Sequence, residues 1–150
     1  MGHREGVNMS GVSTNGHWQF PEQMGGAQYA GFVYVIMDAY MKRAYLGKKN
    51  YFSRVNKNAS SDWKNYISSS KLLQELLKFR PKDEFDFIVL EQYKAAGALA
   101  YAETWSLCYA ETPTSENWYN KRIEKISWSV KEGITNRHKE RLNDIIRRLK

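Results

Sequence analysis

The sequence has little that would link the chain covalently or anchor it in a membrane. Its single cysteine, Cys108, excludes an internal disulfide and a cysteine-rich zinc site. A chain without disulfides suits a reducing compartment, so we expect a cytoplasmic location. No apolar run approaches the length of a membrane span, and no signal-peptide core follows the N-terminus. We therefore expect no membrane partner.

Histidines are also scarce, and His3, His17 and His138 lie far apart in the chain. His3 and His17 fall in a polar N-terminal stretch, where solvated side chains are a simpler interpretation than metal ligands. Cys108 lies in an apolar helical pattern and His138 in a strongly charged stretch. These positions argue against an enzyme with a cysteine or histidine nucleophile.

Basic residues, in contrast, are abundant. The net charge is +7 and the isoelectric point is near 9.4, which favours a polyanionic partner, although many small basic proteins bind no nucleic acid. The charge is unevenly placed, because residues 121–150 hold ten Lys/Arg against four Asp/Glu. That C-terminal segment therefore carries most of the net charge.

The basic C-terminal segment has the pattern of an amphipathic helix, since aliphatic residues recur at helical spacing from Leu142 to Leu149. Two interpretations are open. The helix packs on the core with solvated charges, or it contacts the phosphates of a nucleic acid. We favour the second slightly, with Arg137, Lys139 and Arg141 as the candidate contacts.

Hydrophobic periodicity along the chain predicts an α+β protein. The predicted elements are strands at 32–37 and 44–46, a helix that ends at Arg80, a strand at 85–90 and a helix at 95–110. We expect a small, mainly antiparallel three-stranded sheet flanked by helices. Residues 1–28, with six glycines, are predicted to be a flexible arm, 29–122 the folded domain and 123–150 a basic helical tail.

Two tyrosines stand on the arms of the predicted N-terminal hairpin. Tyr34 lies in the first strand and Tyr45 in the second, so the hairpin can bring their hydroxyls to one place. Gly47 ends the second strand, where a backbone must bend or approach another group closely. Lys48 and Lys49 follow directly and place positive charge nearby. For any single strand tyrosine, plain packing is the simpler interpretation.

Glu103 falls in an apolar stripe of the last predicted core helix, with Leu99 and Leu107 four residues to either side. Burial of an unpaired carboxylate is unfavourable, so a buried Glu103 needs a partner or a metal ion. The alternative is that the stripe lies at the boundary of the core and Glu103 reaches solvent or pairs with a lysine.

The hairpin resembles the paired signature of the GIY-YIG nuclease superfamily. Phe32-Val33-Tyr34 stands where Gly-Ile-Tyr is usual, and Tyr45-Leu46-Gly47 where Tyr-Ile-Gly is usual, with ten residues between them. Gly31 lies one position before the usual glycine, which is a departure. A narrower resemblance, over roughly residues 31–122, is to small phage-encoded proteins of this superfamily. It includes the segment Ser61-Asp62-Trp63-Lys64-Asn65-Tyr66.

The resemblance implies a divalent metal, Mg²⁺ or Mn²⁺, with Glu103 as its protein ligand. It also implies an asparagine, for which Asn120 fits and Asn117 competes. An arginine is expected after the second strand, and Arg54 is the nearest candidate. The superfamily's further His or Tyr has no histidine to match it here, and Tyr51 and Tyr66 are candidates by residue type only.

The roles that the resemblance implies follow the needs of phosphodiester hydrolysis. Tyr34 would act as, or help position, a general base, and Tyr45 would position water or phosphate. Lys48 and Arg54 would stabilise phosphate charge, and the asparagine would orient the site. The candidate nucleic-acid contacts in this part of the chain are Lys48, Lys49, Arg54 and Lys57.

The sequence therefore predicts a metal-dependent DNA endonuclease encoded by a phage or a mobile element, with double-stranded DNA as the expected partner. A phage-encoded protein would act in the host cytoplasm. Two rivals stay open. One is a catalytically inactive DNA-binding accessory protein of the same fold. The other is a basic RNA-binding module whose exposed aromatic side chains stack on bases.

Overall fold

The structure is a computed structural model that describes residues 15–53, 60–123 and 130–150. Within them the long elements are β1 (Gly31–Asp38), β2 (Arg43–Asn50), α1 (Lys71–Phe79), β3 (Phe85–Tyr93), α2 (Ala96–Tyr109) and α3 (Asn136–Leu149). The strands form one antiparallel sheet in the order β2-β1-β3. The predicted α+β class with a three-stranded antiparallel sheet flanked by helices is therefore confirmed. Among these residues, no helix has the length and apolar character needed to cross a membrane.

Strand β1 is the centre of the fold, and all eight of its residues are buried. Its side chains alternate between two cores because successive strand residues point to opposite faces. Val33, Val35 and Met37 face the core formed with α2 and α3, on what we call the helical face. Phe32, Tyr34 and Ile36 face the core formed with α1 and residues 18–24, on what we call the aromatic face.

The segment before β1 differs from the prediction of a flexible arm through residue 28. Trp18 and Phe20 are fully buried on the aromatic face. Between them, Gln19 adds to the sheet beside β3: its N–H donates to the Phe87 carbonyl at 2.7 Å, and its carbonyl accepts from Val89 N at 3.1 Å. The glycines at 16, 25 and 26 all have positive φ, so they turn the chain instead of loosening it. Residues 1–14 lie outside the described residues.

Within the basic tail, residues 136–149 form the predicted helix, α3, which packs against the helical face. Leu142, Ile145 and Leu149 are buried there, each 3% exposed or less. Both segments that flank the predicted central domain thus contact the same sheet. The exact division at residues 28 and 122 stays a prediction.

Candidate active site

Tyr34 and Gly47 are directly opposite each other in the β1–β2 ladder. A Cβ atom added to Gly47 would lie 2.5 Å from the Tyr34 Oη, 2.7 Å from its Cζ and 3.1 Å from Tyr45 Cε2. The Tyr34 phenol therefore lies across the backbone of the edge strand β2, in the space that any side chain at residue 47 would fill. The glycine at this position is required by close approach rather than by an unusual backbone angle.

Three tyrosines and a serine meet on the aromatic face beside Gly47. The Tyr34 ring centroid lies 6.4 Å from that of Tyr45 and 6.1 Å from that of Tyr66. The Tyr34 hydroxyl shares hydrogen bonds with the side chains of Tyr66 and Ser68. The structure thus brings Tyr34 and Tyr45 together, as predicted from the hairpin.

Of the two tyrosines considered by residue type, Tyr66 lies in this group and Tyr51 does not. The Tyr51 hydroxyl donates to Gln92 Oε1 at 2.6 Å, and its ring is packed against Phe32 and Trp63. Tyr51 is therefore a core residue.

Ser68 is a site residue that the sequence analysis missed. It is 2% exposed and has φ 102°, a conformation that residues other than glycine rarely adopt. Its Oγ accepts a hydrogen bond from Ser70 N at 2.9 Å, and its carbonyl accepts one from Gln74 Nε2 at 2.8 Å. The three consecutive serines suggested only an N-cap. Ser70 is that cap, since its side chain accepts from Leu73 N.

Burial raises the pKa of Tyr34 well above its usual value of 10.0, and the nearby Tyr66 and Tyr45 raise it further. The hydrogen bond with Ser68 acts in the opposite direction, and the negative charge of Glu103 raises the pKa again. The pKa of Tyr66 is also raised, mainly by burial and in part by Glu103. These shifts favour the protonated phenol, whose hydroxyl is hydrogen-bonded to Ser68 and Tyr66.

Glu103 lies on α2, on the opposite face of the sheet from Tyr34, and is partly buried. Because its charge influences the pKa of both Tyr34 and Tyr66, the carboxylate lies within electrostatic reach of the tyrosines. At the edge of the sheet, Gly47 has no side chain and so leaves room for the Tyr34 phenol over the backbone of β2. The candidate site thus combines groups from both faces.

Asn120 holds the edge strand in place beside the site. Its Oδ1 accepts from Leu46 N at 2.8 Å, and its Nδ2 donates to the Leu46 carbonyl at 2.7 Å. Leu46 lies between Tyr45 and Gly47, so Asn120 acts on the geometry of the site through the backbone. The competing Asn117 lies nearer the hairpin turn, where its Nδ2 donates to the carbonyl of Lys42.

The two lysines that follow Gly47 lie on different sides of β2 because strand residues alternate. Lys49 shares the face of the tyrosines, with its Nζ 4.2 Å from the Tyr66 ring centroid. Burial lowers the pKa of Lys49, and the charge of Asp62 partly opposes that shift. Lys48 is exposed on the side of Glu103.

Of the three predicted nucleic-acid contacts on the C-terminal helix, the two arginines bind other groups of the protein. Arg137 pairs with Glu91 at 2.8 Å and with Glu22 at 3.1 Å. Arg141 donates to the carbonyls of Val89 and Gln19, at 2.7 and 3.1 Å. Both arginines hold the N-terminal segment against β3. Lys139 is exposed, with its Nζ 5.9 Å from the Trp105 ring centroid.

Two predicted site residues, Arg54 and Lys57, lie outside the described residues. Within the described part of the chain, no group of three or more His, Cys, Asp or Glu side chains could enclose a metal ion. Glu103 is a partly buried carboxylate, and Mg²⁺ is often bound through one or two carboxylates and keeps several waters while it contacts substrate phosphates.

Comparison with protein families gave a match over residues 17–123. The family is described as "Putative endonuclease segE, GIY-YIG domain". The matched segment begins at His17, so it takes in the buried N-terminal segment as well as both tyrosine strands and α2. Comparisons with curated proteins and with solved structures gave no match.

Proposed function

The chain belongs to the GIY-YIG endonuclease family, and from that premise we propose that it hydrolyses phosphodiester bonds of double-stranded DNA with the help of Mg²⁺ or Mn²⁺. The observation that carries the proposal is the close approach of the buried Tyr34 phenol to Gly47, beside Tyr45, on one face of the sheet, with Glu103 on the helix that covers the other face. If Tyr34 served only to pack the strand, neither its hydroxyl nor the space that Gly47 leaves for it would be needed.

Each side chain has a role that its surroundings support. Tyr34, held by Ser68 and Tyr66, orients the attacking water through its hydroxyl. Tyr45 lies beside it, only partly buried, and contacts the phosphate or the water. Lys48 places positive charge on the side of Glu103. Asn120 is a positioning residue, because it acts through Leu46.

Glu103 is the proposed metal ligand. A divalent cation held by this carboxylate would supply positive charge against the developing negative charge of the phosphate and would activate water. Neutralising Glu103 also removes one of the causes that raise the pKa of Tyr34.

Supercoiled plasmid tests this function directly. We expect wild-type protein to nick or linearise the plasmid with Mg²⁺ or Mn²⁺ and not with EDTA. Glu103→Gln keeps the side-chain size and removes the charge, so cleavage should be lost. Glu140→Gln, which makes the same change at an exposed position of α3, should leave cleavage intact.

Three outcomes would change the assignment. Cleavage by Glu103→Gln at the wild-type rate would exclude Glu103 as the metal ligand. No cleavage by the wild type, together with salt-sensitive DNA binding by both proteins, would favour an inactive DNA-binding accessory protein. Preferred binding of single-stranded RNA would favour the RNA-binding module. An origin in a phage or mobile element, and action in a host cytoplasm, remain part of the proposal.

A further inference from the structure

The β1–β2 turn, residues 39–42, presents large side chains to solvent. Tyr40 is 83% exposed and Met41 is 52% exposed. Turns favour Gly, Asn and Asp, which readily adopt positive φ. Here Lys42 takes that conformation, with φ 53°. Neither packing nor turn geometry therefore accounts for a tyrosine and a methionine at the tip.

The backbone beneath these side chains is held from both sides. Asp38, fully buried, accepts a hydrogen bond from Met41 N at 3.1 Å and pairs with Arg80 at the end of α1. From the opposite side, Asn117 Nδ2 donates to the Lys42 carbonyl at 3.0 Å. A braced backbone loses little conformational entropy when its exposed side chains bind a partner.

The surroundings of the tip are cationic and aromatic. Lys42 and Arg43 are exposed. The Arg43 guanidinium lies 5.9 Å from the Tyr119 ring centroid, and that of Arg80 lies 5.8 Å from the Tyr40 ring centroid. Cations suit the phosphates of a nucleic acid, and exposed rings and apolar side chains suit its bases.

The tip also has a defined spacing from the candidate active site along the same strand. From Arg43, where β2 begins, to Gly47 the strand rises about 13 Å, and the turn carries the tip about one residue further, to about 17 Å. The same length corresponds to about five base pairs of B-DNA. A duplex with its scissile phosphate at Gly47 and its axis along β2 would therefore reach the tip about half a helical turn away.

We propose that Tyr40 and Met41 form a wedge that inserts at a base step of duplex DNA about five base pairs from the cleaved bond, with Lys42 and Arg43 on flanking phosphates. The inference rests on the proposed function, which places DNA at Gly47. Apolar side chains inserted in this way unstack a base step and kink the duplex. The wedge would set where along the DNA the cut falls.

The test compares full-length wild type with Tyr40→Ala, Met41→Ala and the double variant on a duplex of about three helical turns. Ca²⁺ replaces Mg²⁺, and a denaturing gel checks that the DNA stays intact. A fluorescent aminopurine base is placed at successive positions from the mapped cut. Wild type should raise its fluorescence at one step displaced from the cut, and the double variant should not.

Salt dependence separates the wedge from the phosphate contacts. The double variant should bind about tenfold more weakly, because stacking is lost. Its slope of log affinity against log salt should equal that of wild type, because no charge changes. Lys42→Ala and Arg43→Ala should each reduce that slope by about 0.9. Tyr109→Ala removes a 48% exposed aromatic on α2 and should change neither quantity.

Failure of this inference differs from failure of the proposed function. If the double variant binds and raises the fluorescence as wild type does, while wild type cleaves with metal, the wedge is excluded and the nuclease stands. If wild type neither binds the duplex nor cleaves plasmid, both are excluded. Thermal melting checks folding, and because both side chains are exposed the variants should melt as wild type does.

Discussion

The two faces of the sheet differ in what fills them and in what chemistry they supply. The aromatic face is built largely from rings, among them Trp18, Phe20, Phe32, Tyr34, Tyr51, Trp63 and Phe87. The helical face is built mainly from aliphatic side chains, among them Val33, Val35, Leu46, Leu90, Leu99, Leu142 and Ile145. The first contributes hydroxyls to the candidate site and the second contributes the carboxylate of Glu103.

This division shows why the site lies at an edge of the sheet. A three-stranded sheet separates its faces everywhere except along its outer strands, and β2 is an outer strand. At Gly47 that strand has no side chain, so the Tyr34 phenol lies over its backbone. The glycine of the second triplet is thus what makes room for the phenol at the edge of the sheet.

The largest effect is expected from Gly47→Ala, which fills the space over β2 that the Tyr34 phenol occupies. The added Cβ would lie 2.5 Å from the Tyr34 Oη, so the phenol must move. We expect the cleavage rate to fall at least about a hundredfold, because small displacements in an active site have effects of that size. The free energy of unfolding should fall by about 1–3 kcal/mol. Plasmid cleavage and denaturant unfolding measure the two.

Gly133→Ala is the matched control, since a Cβ there would meet nothing within 4 Å. It should cleave and unfold as wild type does. Equal activity of Gly47→Ala and wild type would show that cleavage does not depend on the position of the Tyr34 phenol over β2.

A second comparison separates the role of Tyr34 from the packing of its face. Tyr34→Phe keeps the ring and removes the hydroxyl bonded to Ser68 and Tyr66, so cleavage should fall about a hundredfold. Tyr51→Phe removes a hydroxyl from the same face, bonded to Gln92. It should lower the free energy of unfolding by about 1 kcal/mol and leave cleavage unchanged. A similar loss of cleavage in both variants would mean that the face is purely structural.

Asn120→Ala should have a moderate effect, because the side chain acts through the backbone of Leu46. Loss of both hydrogen bonds leaves a buried N–H and carbonyl of the edge strand unpaired, which lowers the free energy of unfolding by about 1–3 kcal/mol. Cleavage should fall with kcat reduced and KM little changed. A change in KM alone would instead indicate direct contact with DNA.

The smallest expected effect is on the pH dependence of the free energy of unfolding, because a histidine packs on each face of the sheet. Burial lowers the pKa of both His17 and His138 to about 3, with Lys82 and Lys139 respectively lowering it further. Below pH 6.5 the unfolded chain binds protons that the folded protein does not. The free energy of unfolding should therefore decrease as the pH falls from 6.5 toward 3, by up to about 1.4 kcal/mol per pH unit for each histidine.

Glutamine substitutions sharpen this comparison. Each should remove the contribution of one histidine to the pH slope measured by urea unfolding. His138→Gln should also destabilise the protein at neutral pH, because His138 lies 3.0 Å from the Tyr93 hydroxyl and 2.6 Å from Ser106 Oγ in the core. An unchanged slope in either variant would show that the histidine titrates alike in the folded and unfolded chains.

The fold was largely predictable because its signals are local. The β-branched and aromatic run from Phe32 to Met37 predicted the central strand, and Pro81 marked the end of α1. The N-terminal segment was not predictable in this way. Its glycines and polar residues have the composition of an arm, and only the pocket formed by α1 and the sheet shows that Trp18 and Phe20 are core residues.

The candidate site, like the fold, was predictable from the sequence only in part. Local pattern singled out Tyr34, Tyr45, Gly47 and Glu103 as candidates, and the family resemblance added Asn120, with Asn117 as its competitor. Only the tertiary structure places Tyr66 and the strained Ser68 beside Tyr34. It also shows that Arg137 and Arg141 bind groups within the protein. These groups are distant in the chain, so their partners depend on how the elements pack and not on any pattern within one element.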